Sequence, residues 1–125
     1  MAQRLAPAFL TTTENQLTGY RVLERMGVVR GITVRSRSVF GTIGAKFEQL
    51  FGGQISLLEE LCEETRAASF ALAVEHAQAL GANALVAIRY DATEIMSGVS
   101  EVLCYGTAMR VVPDRAELAA GDLSA

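Results

Sequence analysis

The chain contains few of the residues on which common catalytic and metal sites depend. Its 125 residues include one histidine, His76, and two cysteines, Cys62 and Cys104. The cysteines lie far apart with no paired spacing, which argues against a disulfide framework or a cysteine metal cluster, so we expect two free, buried thiols. No serine occupies a G-x-S-x-G elbow, and neither glycine-rich phosphate motif is present. We predict no catalytic residues, no metal ligands and no identifiable cofactor, which favours a protein that is not an enzyme.

Positive charge and long apolar runs are scarce as well. The chain has one lysine, a formal net charge of −3 and a pI near 5.1, which argues against a nucleic-acid partner. No apolar run approaches the roughly 20 residues of a membrane span, so we expect no membrane partner. The N-terminal LAPAFL is too short for a signal-peptide core, and we predict a cytoplasmic protein.

What the chain does have is apolar surface in excess of its size. Half of its residues are apolar, 20% are charged and the mean hydropathy is +0.27. A chain of this length fits a single domain, which we place at 1–125 with its core at about 11–112. The ends, 1–10 and 113–125, are expected to be loose or to form short helices. The apolar excess needs a partner surface, which we expect to be another copy of the chain.

One long helix is the clearest predicted element. Ser56 and Glu59 form an S-x-x-E capping box, and Gly81 supplies the left-handed residue that ends a helix. The pattern therefore predicts a helix over Leu57–Leu80. In its first half, Cys62 falls on the apolar side and Arg66 on the acidic side, while the second half is apolar in nearly every direction. His76 is expected to be packed and hydrogen-bonded.

Extended segments surround this helix. An extended element is predicted from Tyr20 to Val34, and two largely apolar strands, NALVAIRYDA and EVLCYGTAMRVV, form a hairpin around Gly98. A short helix is expected within 38–53. The order strand, short helix, long helix, strand, strand predicts an α+β fold, in which one long helix packs on a small, mainly antiparallel sheet.

The arginines are the best candidates for binding. Five of the 11 basic residues lie between Tyr20 and Ser38, namely Arg21, Arg25, Arg30, Arg35 and Arg37. One interpretation is that they form ion pairs with the acids at Glu59–Glu64. The other is an anion pocket, because a guanidinium matches carboxylate or phosphate, and backbone N–H groups at Gly52 and Gly53 would add donors. The acids themselves fit the first turns of a helix without any metal.

Several segments together resemble one family. GVVRGITVRSRS, GGQ, ALGANALVAIRYD and EVLCYGTAMRVV look like the YbjQ-like family of small, uncharacterised proteins, often labelled as heavy-metal-binding, over roughly Thr11 to Val112. The resemblance implies a β-α-β-β subunit assembled into a ring-like homopentamer. The positions that match the family pattern are Gly31, Arg35, Gly52, Gly53, Arg66, Gly81, Ala82, Asn83, Gly106 and Thr107.

The resulting hypothesis is a homo-oligomer that binds a small anionic or polar ligand at subunit junctions through Arg30, Arg35, Arg37 and Arg66. Three alternatives remain open: a heavy-metal-binding protein, an enzyme with a composite site between subunits, and a passive scaffold whose product is the ring. Fold-level analogy does not transfer the metal function, since such sites rely on paired cysteines that this chain lacks.

Overall fold

The α+β class predicted from the sequence is confirmed. The computed structural model describes residues 8–36 and 53–115. The elements are β1 (Leu10–Thr11), β2 (Tyr20–Ser36), α1 (Gly53–Ala79), β3 (Ala84–Met96) and β4 (Val99–Pro113). The short helix expected within 38–53 lies outside the described residues, apart from its last position. Neither α1 nor any other helix among the described residues is long and apolar enough to cross a membrane.

The four strands form one mixed sheet, with the order β1-β3-β4-β2. β3 and β4 are neighbours joined only by Ser97 and Gly98, so the predicted hairpin is confirmed. β1 pairs parallel to β3, with Leu10 opposite Ala84. The sequence predicted a mainly antiparallel sheet but not this short parallel pair, because the pair joins segments that are distant in sequence. β2 and β1 are the edge strands.

Side chains of β2 alternate between two faces over residues 28–35. Gly31 and Thr33 are buried and Arg35 is half-buried, whereas Ile32 and Val34 are exposed. This period of two is that of a strand with one face covered. It places Arg35 on the covered face of the sheet.

The helix α1 begins earlier than the capping box predicts. Its first residue is Gly53, so Ser56 lies inside the first turn and is not the N-cap. The C-terminal end is as predicted. Gly81 has φ +92°, and its N–H donates to the carbonyl of Gln78 (2.9 Å), while Ala82 N–H donates to the carbonyl of Ala77 (3.1 Å). These bonds satisfy carbonyls that the last turn of a helix leaves without partners.

Two expectations about buried side chains are wrong. Cys104 is buried as predicted, but Cys62 is exposed. His76 is exposed rather than packed, although it does not lack a polar interaction. Arg66 lies on the same side of α1 as Cys62, not opposite to it, since residues four apart are neighbours on a helix.

The described residues divide into two compact units, one made of 8–29, 74–89 and 106–115, the other of 30–36, 53–73 and 90–105. The first has its own apolar core, which consists of Ala84, Val86, Met109 and Val111 with Leu10, Leu17, Tyr20, Val22 and Ala87 packed against it. Ala87 has φ +55°, a conformation that is uncommon for a residue other than glycine.

Asn83 ties together three segments of this first unit. Its Nδ2 donates to the carbonyl of Val111 (2.9 Å), and its Oδ1 accepts from Val111 N–H (2.8 Å). Its backbone N–H donates to the carbonyl of Met109 (3.0 Å), and its carbonyl accepts from Leu10 N–H (3.0 Å). One side chain thus completes the hydrogen bonding of a buried stretch of β4, beside the point where α1 ends.

The second unit is held by a close approach of α1 to β2. A Cβ added at Gly31 would overlap the carbonyl oxygen of Ser69 and lie 2.6 Å from Ala73 N, so only glycine fits. Ser69 is fully buried at this contact. Its Oγ is hydrogen-bonded to Thr33 Oγ1 (2.7 Å) and donates to the carbonyl of Val102 (3.0 Å). The helix is thereby fixed in register against β2 and β4.

Candidate functional site

A cavity of about 180 Å³ lies within the second unit and contains two of the predicted arginines. It is lined by residues of β2, α1, β3 and β4, namely Arg35, Leu61, Cys62, Thr65, Arg66, Ala92, Ser100 and Val102. Its lining is mainly apolar. Among the described residues, none that lines it carries a carboxylate, so its formal charge comes from the two guanidinium groups.

The buried hydrogen bonds around Ser69 explain why Arg35 and Arg66 line the same cavity. Arg35 follows Thr33 by two positions in β2 and therefore shares its face, and Arg66 precedes Ser69 by almost one turn of α1. The bond between Ser69 and Thr33 fixes the register between the two elements. Arg35 Nη1 also donates to the carbonyl of Val34 (3.2 Å). The cavity is thus built on regular elements rather than on loops.

Arg66 is oriented by an aromatic ring. Its guanidinium carbon lies 6.0 Å from the centre of the Tyr90 ring, at the limit of a cation–π contact. Partial burial, followed by the neighbouring Cys104, raises the pKa of Tyr90, while Arg66 lowers it by a smaller amount. Burial likewise raises the pKa of Cys104, and the neighbouring Tyr90 lowers it by a smaller amount. Both groups are therefore neutral near pH 7 and add no negative charge beside Arg66.

Among the described residues, Arg30 does not line this cavity. Arg30 is exposed, and it lies on the opposite face of β2 from Arg35 because the two are an odd number of positions apart along the strand. Gly53 is the first residue of α1. Arg37 and Gly52 lie outside the described residues.

The ion pairs considered from the sequence do not involve the two cavity arginines. Within residues 8–36 and 53–115, neither Arg35 nor Arg66 forms a salt bridge with a carboxylate. An ion pair does join Arg110 Nη2 to Glu24 Oε1 (2.9 Å) in the other unit, between two exposed side chains. Two acids of α1 instead line a neighbouring cavity of about 410 Å³, which shares Cys62 with the first and is lined by Leu58, Glu59, Cys62 and Glu63.

A metal site would need several donor side chains close together. No group of three or more histidine, cysteine, aspartate or glutamate side chains within the described ranges is placed to hold a metal ion. Cys62 is exposed and Cys104 is buried beside Tyr90. A soft metal prefers several thiolate or imidazole ligands at about 2.0 to 2.3 Å, and the described donor set does not fit one.

Sequence reasoning missed most of the cavity wall. Cys62 was predicted only as part of the apolar side of α1, and the other wall residues were not predicted to line a site, namely Leu61, Thr65, Ala92, Ser100 and Val102. The spacing of Cys62 and Arg66, four residues apart, was the signal that could have placed them together. No local signal predicts that β3 and β4 complete the wall, because that depends on the packing of distant segments.

The fold and this cavity define a small α+β protein with a basic, largely apolar pocket, and comparison with known proteins identifies its family. A family model described as "Putative heavy-metal-binding" matches residues 9–112, so the chain belongs to the YbjQ family. A UPF0145 protein of Solibacter usitatus is 54% identical over 109 residues, covering 87% of this chain and 97% of that protein. One of Chromobacterium violaceum is 52% identical, covering 87% and 93%. The predicted resemblance is confirmed.

A solved structure of a DUF74-family protein with unknown function from Pediococcus pentosaceus is similar as well. It shares 18% sequence identity at a TM-score of 0.44, covering 83% of this chain and 98% of that one.

Proposed function

We propose that this protein binds a small anion in the cavity formed by Arg35 and Arg66, and that it does so as a homo-oligomer. The observation that carries the proposal is that Arg35 and Arg66 both line one cavity whose described lining has no carboxylate. Two arginines that share a partly enclosed space repel one another, and an anion between them relieves that repulsion while accepting forked hydrogen bonds.

Self-association is the second part of the proposal, with the pentameric ring implied by the family resemblance as its expected form. Support comes from β2, an edge strand that carries exposed apolar side chains, namely Leu23, Val28, Ile32 and Val34. Val28 alone is 70% exposed. An edge strand of this length with apolar side chains is a template for pairing with another chain.

Removing both cavity arginines is expected to abolish anion binding. In the variant Arg35→Ala/Arg66→Ala, two charge-assisted hydrogen bonds to the anion are lost, at a cost of at least about 1.4 kcal/mol in binding free energy. We therefore expect the affinity for acetate to fall at least tenfold. The measurement is a titration with sodium acetate against sodium chloride at constant ionic strength. It follows the methyl resonances of Leu61 and Val102, which line the cavity and remain observable in a large assembly.

Two variants separate this proposal from its rivals. Arg30→Ala removes the same charge from the exposed face of β2 and is expected to bind acetate as the wild type does. Arg35→Lys/Arg66→Lys keeps both charges but loses the fork, and an intermediate affinity is expected. Native mass spectrometry of each variant counts subunits. Acetate affinity that survives the alanine pair would refute the binding site, whereas an assembly that dissociates would show that the arginines serve the oligomer.

A further inference from the structure

The wall of the cavity specifies more than the charge of its ligand. Leu61, Ala92 and Val102 contribute aliphatic surface, and Thr65 has already used its hydroxyl proton, since Oγ1 donates to the carbonyl of Leu61 (2.8 Å). Donors for an anion are therefore concentrated at the two guanidinium groups, with Ser100 as the other hydroxyl. The pocket thus combines two cationic side chains with mainly apolar walls.

This combination disfavours inorganic oxyanions and metal ions. Phosphate and sulfate carry oxygen on every side, and enclosing them beside aliphatic side chains removes water from oxygens that receive no hydrogen bond in return. A divalent cation would meet two positive charges. A carboxylate with a hydrocarbon body matches both parts, because its two oxygens accept from guanidinium and its methylenes leave water against the aliphatic wall.

We infer that the ligand of this cavity is a small aliphatic monocarboxylic acid with about four to six carbon atoms in total. The size follows from the volume, since about 180 Å³ corresponds to roughly six water molecules of about 30 Å³ each. The inference rests on the proposed function and narrows it from any small anion to one class of organic acid. Binding holds the carboxylate between Arg35 and Arg66 and buries the chain against Leu61 and Val102.

The test is a series of unbranched carboxylates from acetate to octanoate, titrated against the intact protein with the same methyl signals. Affinity is expected to rise about threefold with each methylene up to pentanoate or hexanoate, because each buried methylene adds a similar increment. It should then level off or fall at octanoate, which exceeds the cavity. Sodium phosphate, titrated at the same ionic strength, is expected to bind at least tenfold more weakly than pentanoate.

A variant that fills the apolar part sharpens this test. Ala92 lines the cavity yet is exposed, so Ala92→Leu adds volume to the wall at a position that tolerates it. We expect it to weaken pentanoate at least tenfold and to leave acetate within about twofold, which a general loss of structure would not do.

The outcomes distinguish the inference from the proposed function beneath it. Affinities that are flat from acetate to hexanoate, or phosphate binding tighter than every carboxylate, would overturn the inference and leave the anion site standing. If neither the carboxylates nor phosphate produce saturable changes at Leu61 and Val102, the proposed function fails together with the inference.

Discussion

Replacing Gly31 with alanine is expected to cost about 3 kcal/mol or more in the free energy of unfolding, corresponding to a fall of roughly 10 °C in Tm. The added Cβ would overlap Ser69 O and lie 2.6 Å from Ala73 N and 2.7 Å from the Cβ of Leu72. Two of these three atoms belong to the backbone of α1, so no rotamer change can relieve the clash. Either the helix moves away from β2 or the contact is lost.

The measurement is thermal and urea unfolding followed by circular dichroism, at one fixed chain concentration because the protein is proposed to self-associate. Gly27→Ala is the matched control in the same strand. Gly27 has φ +92° but nothing within 4 Å of an added Cβ, so we expect a loss near 1 kcal/mol from backbone strain alone. Equal losses in the two variants would contradict the close approach at Gly31.

Replacing Asn83 with alanine is expected to cost about 3 kcal/mol. The change leaves both the N–H and the carbonyl of Val111 without partners, and Val111 is only 3% exposed. An unsatisfied buried group costs about 1 to 3 kcal/mol, and two are created here. The first unit should unfold more readily, because the two lost hydrogen bonds lie within it.

Two further substitutions test this assignment by the same urea titration. Asn83→Asp keeps the acceptor for Val111 N–H but replaces the donor with a carboxylate oxygen that faces a carbonyl, so its loss should be no smaller than that of alanine. Asn15→Ala, at an exposed asparagine, should change the free energy of unfolding by less than about 0.5 kcal/mol. A small effect of Asn83→Ala would show that water or a backbone shift replaces its hydrogen bonds.

Local signals predicted those parts of the fold that local chemistry determines. The left-handed conformation of Gly81 fixes the end of α1, and the turn at Gly98 identified the β3–β4 hairpin. The start of α1 was predicted too late in the sequence, because an S-x-x-E pattern matches a capping box but also occurs inside the first turn of a helix. The left-handed φ of Ala87 had no signal at all, since glycine or asparagine is the usual residue there.

The candidate site was predicted only in part, because its composition depends on which face of β2 and which side of α1 each residue occupies. Arg35 and Arg66 were proposed together, but the sequence grouped Arg30 and Arg37 with them by proximity along the chain. Alternation in β2 separates Arg30 from Arg35. The exposure of Cys62, by contrast, depends on which sector of α1 faces the strands. Helical periodicity fixes the relative positions of residues, not the sector that is covered.

The central claim is that Arg35 and Arg66 make this cavity a site for anions. The reactivity of the Cys62 thiol can test this claim before the ligand is identified, because it depends on the electrostatic potential in the cavity. Cys62 lines the cavity and is exposed, while burial slows the reaction of Cys104. Iodoacetate and iodoacetamide attack the same thiolate but differ by one negative charge. The ratio of their rates therefore cancels the thiolate fraction and retains the local potential.

We would measure this ratio at low ionic strength in the wild type, in Arg35→Ala/Arg66→Ala and in Arg30→Ala, with Cys62→Ser to establish the background. The acids Glu59 and Glu63 are common to all three proteins and cancel in the comparison. The account predicts that the iodoacetate-to-iodoacetamide ratio falls about fivefold in the double variant, that salt reduces the difference, and that Arg30→Ala leaves it unchanged. An unchanged ratio in Arg35→Ala/Arg66→Ala would contradict the claim.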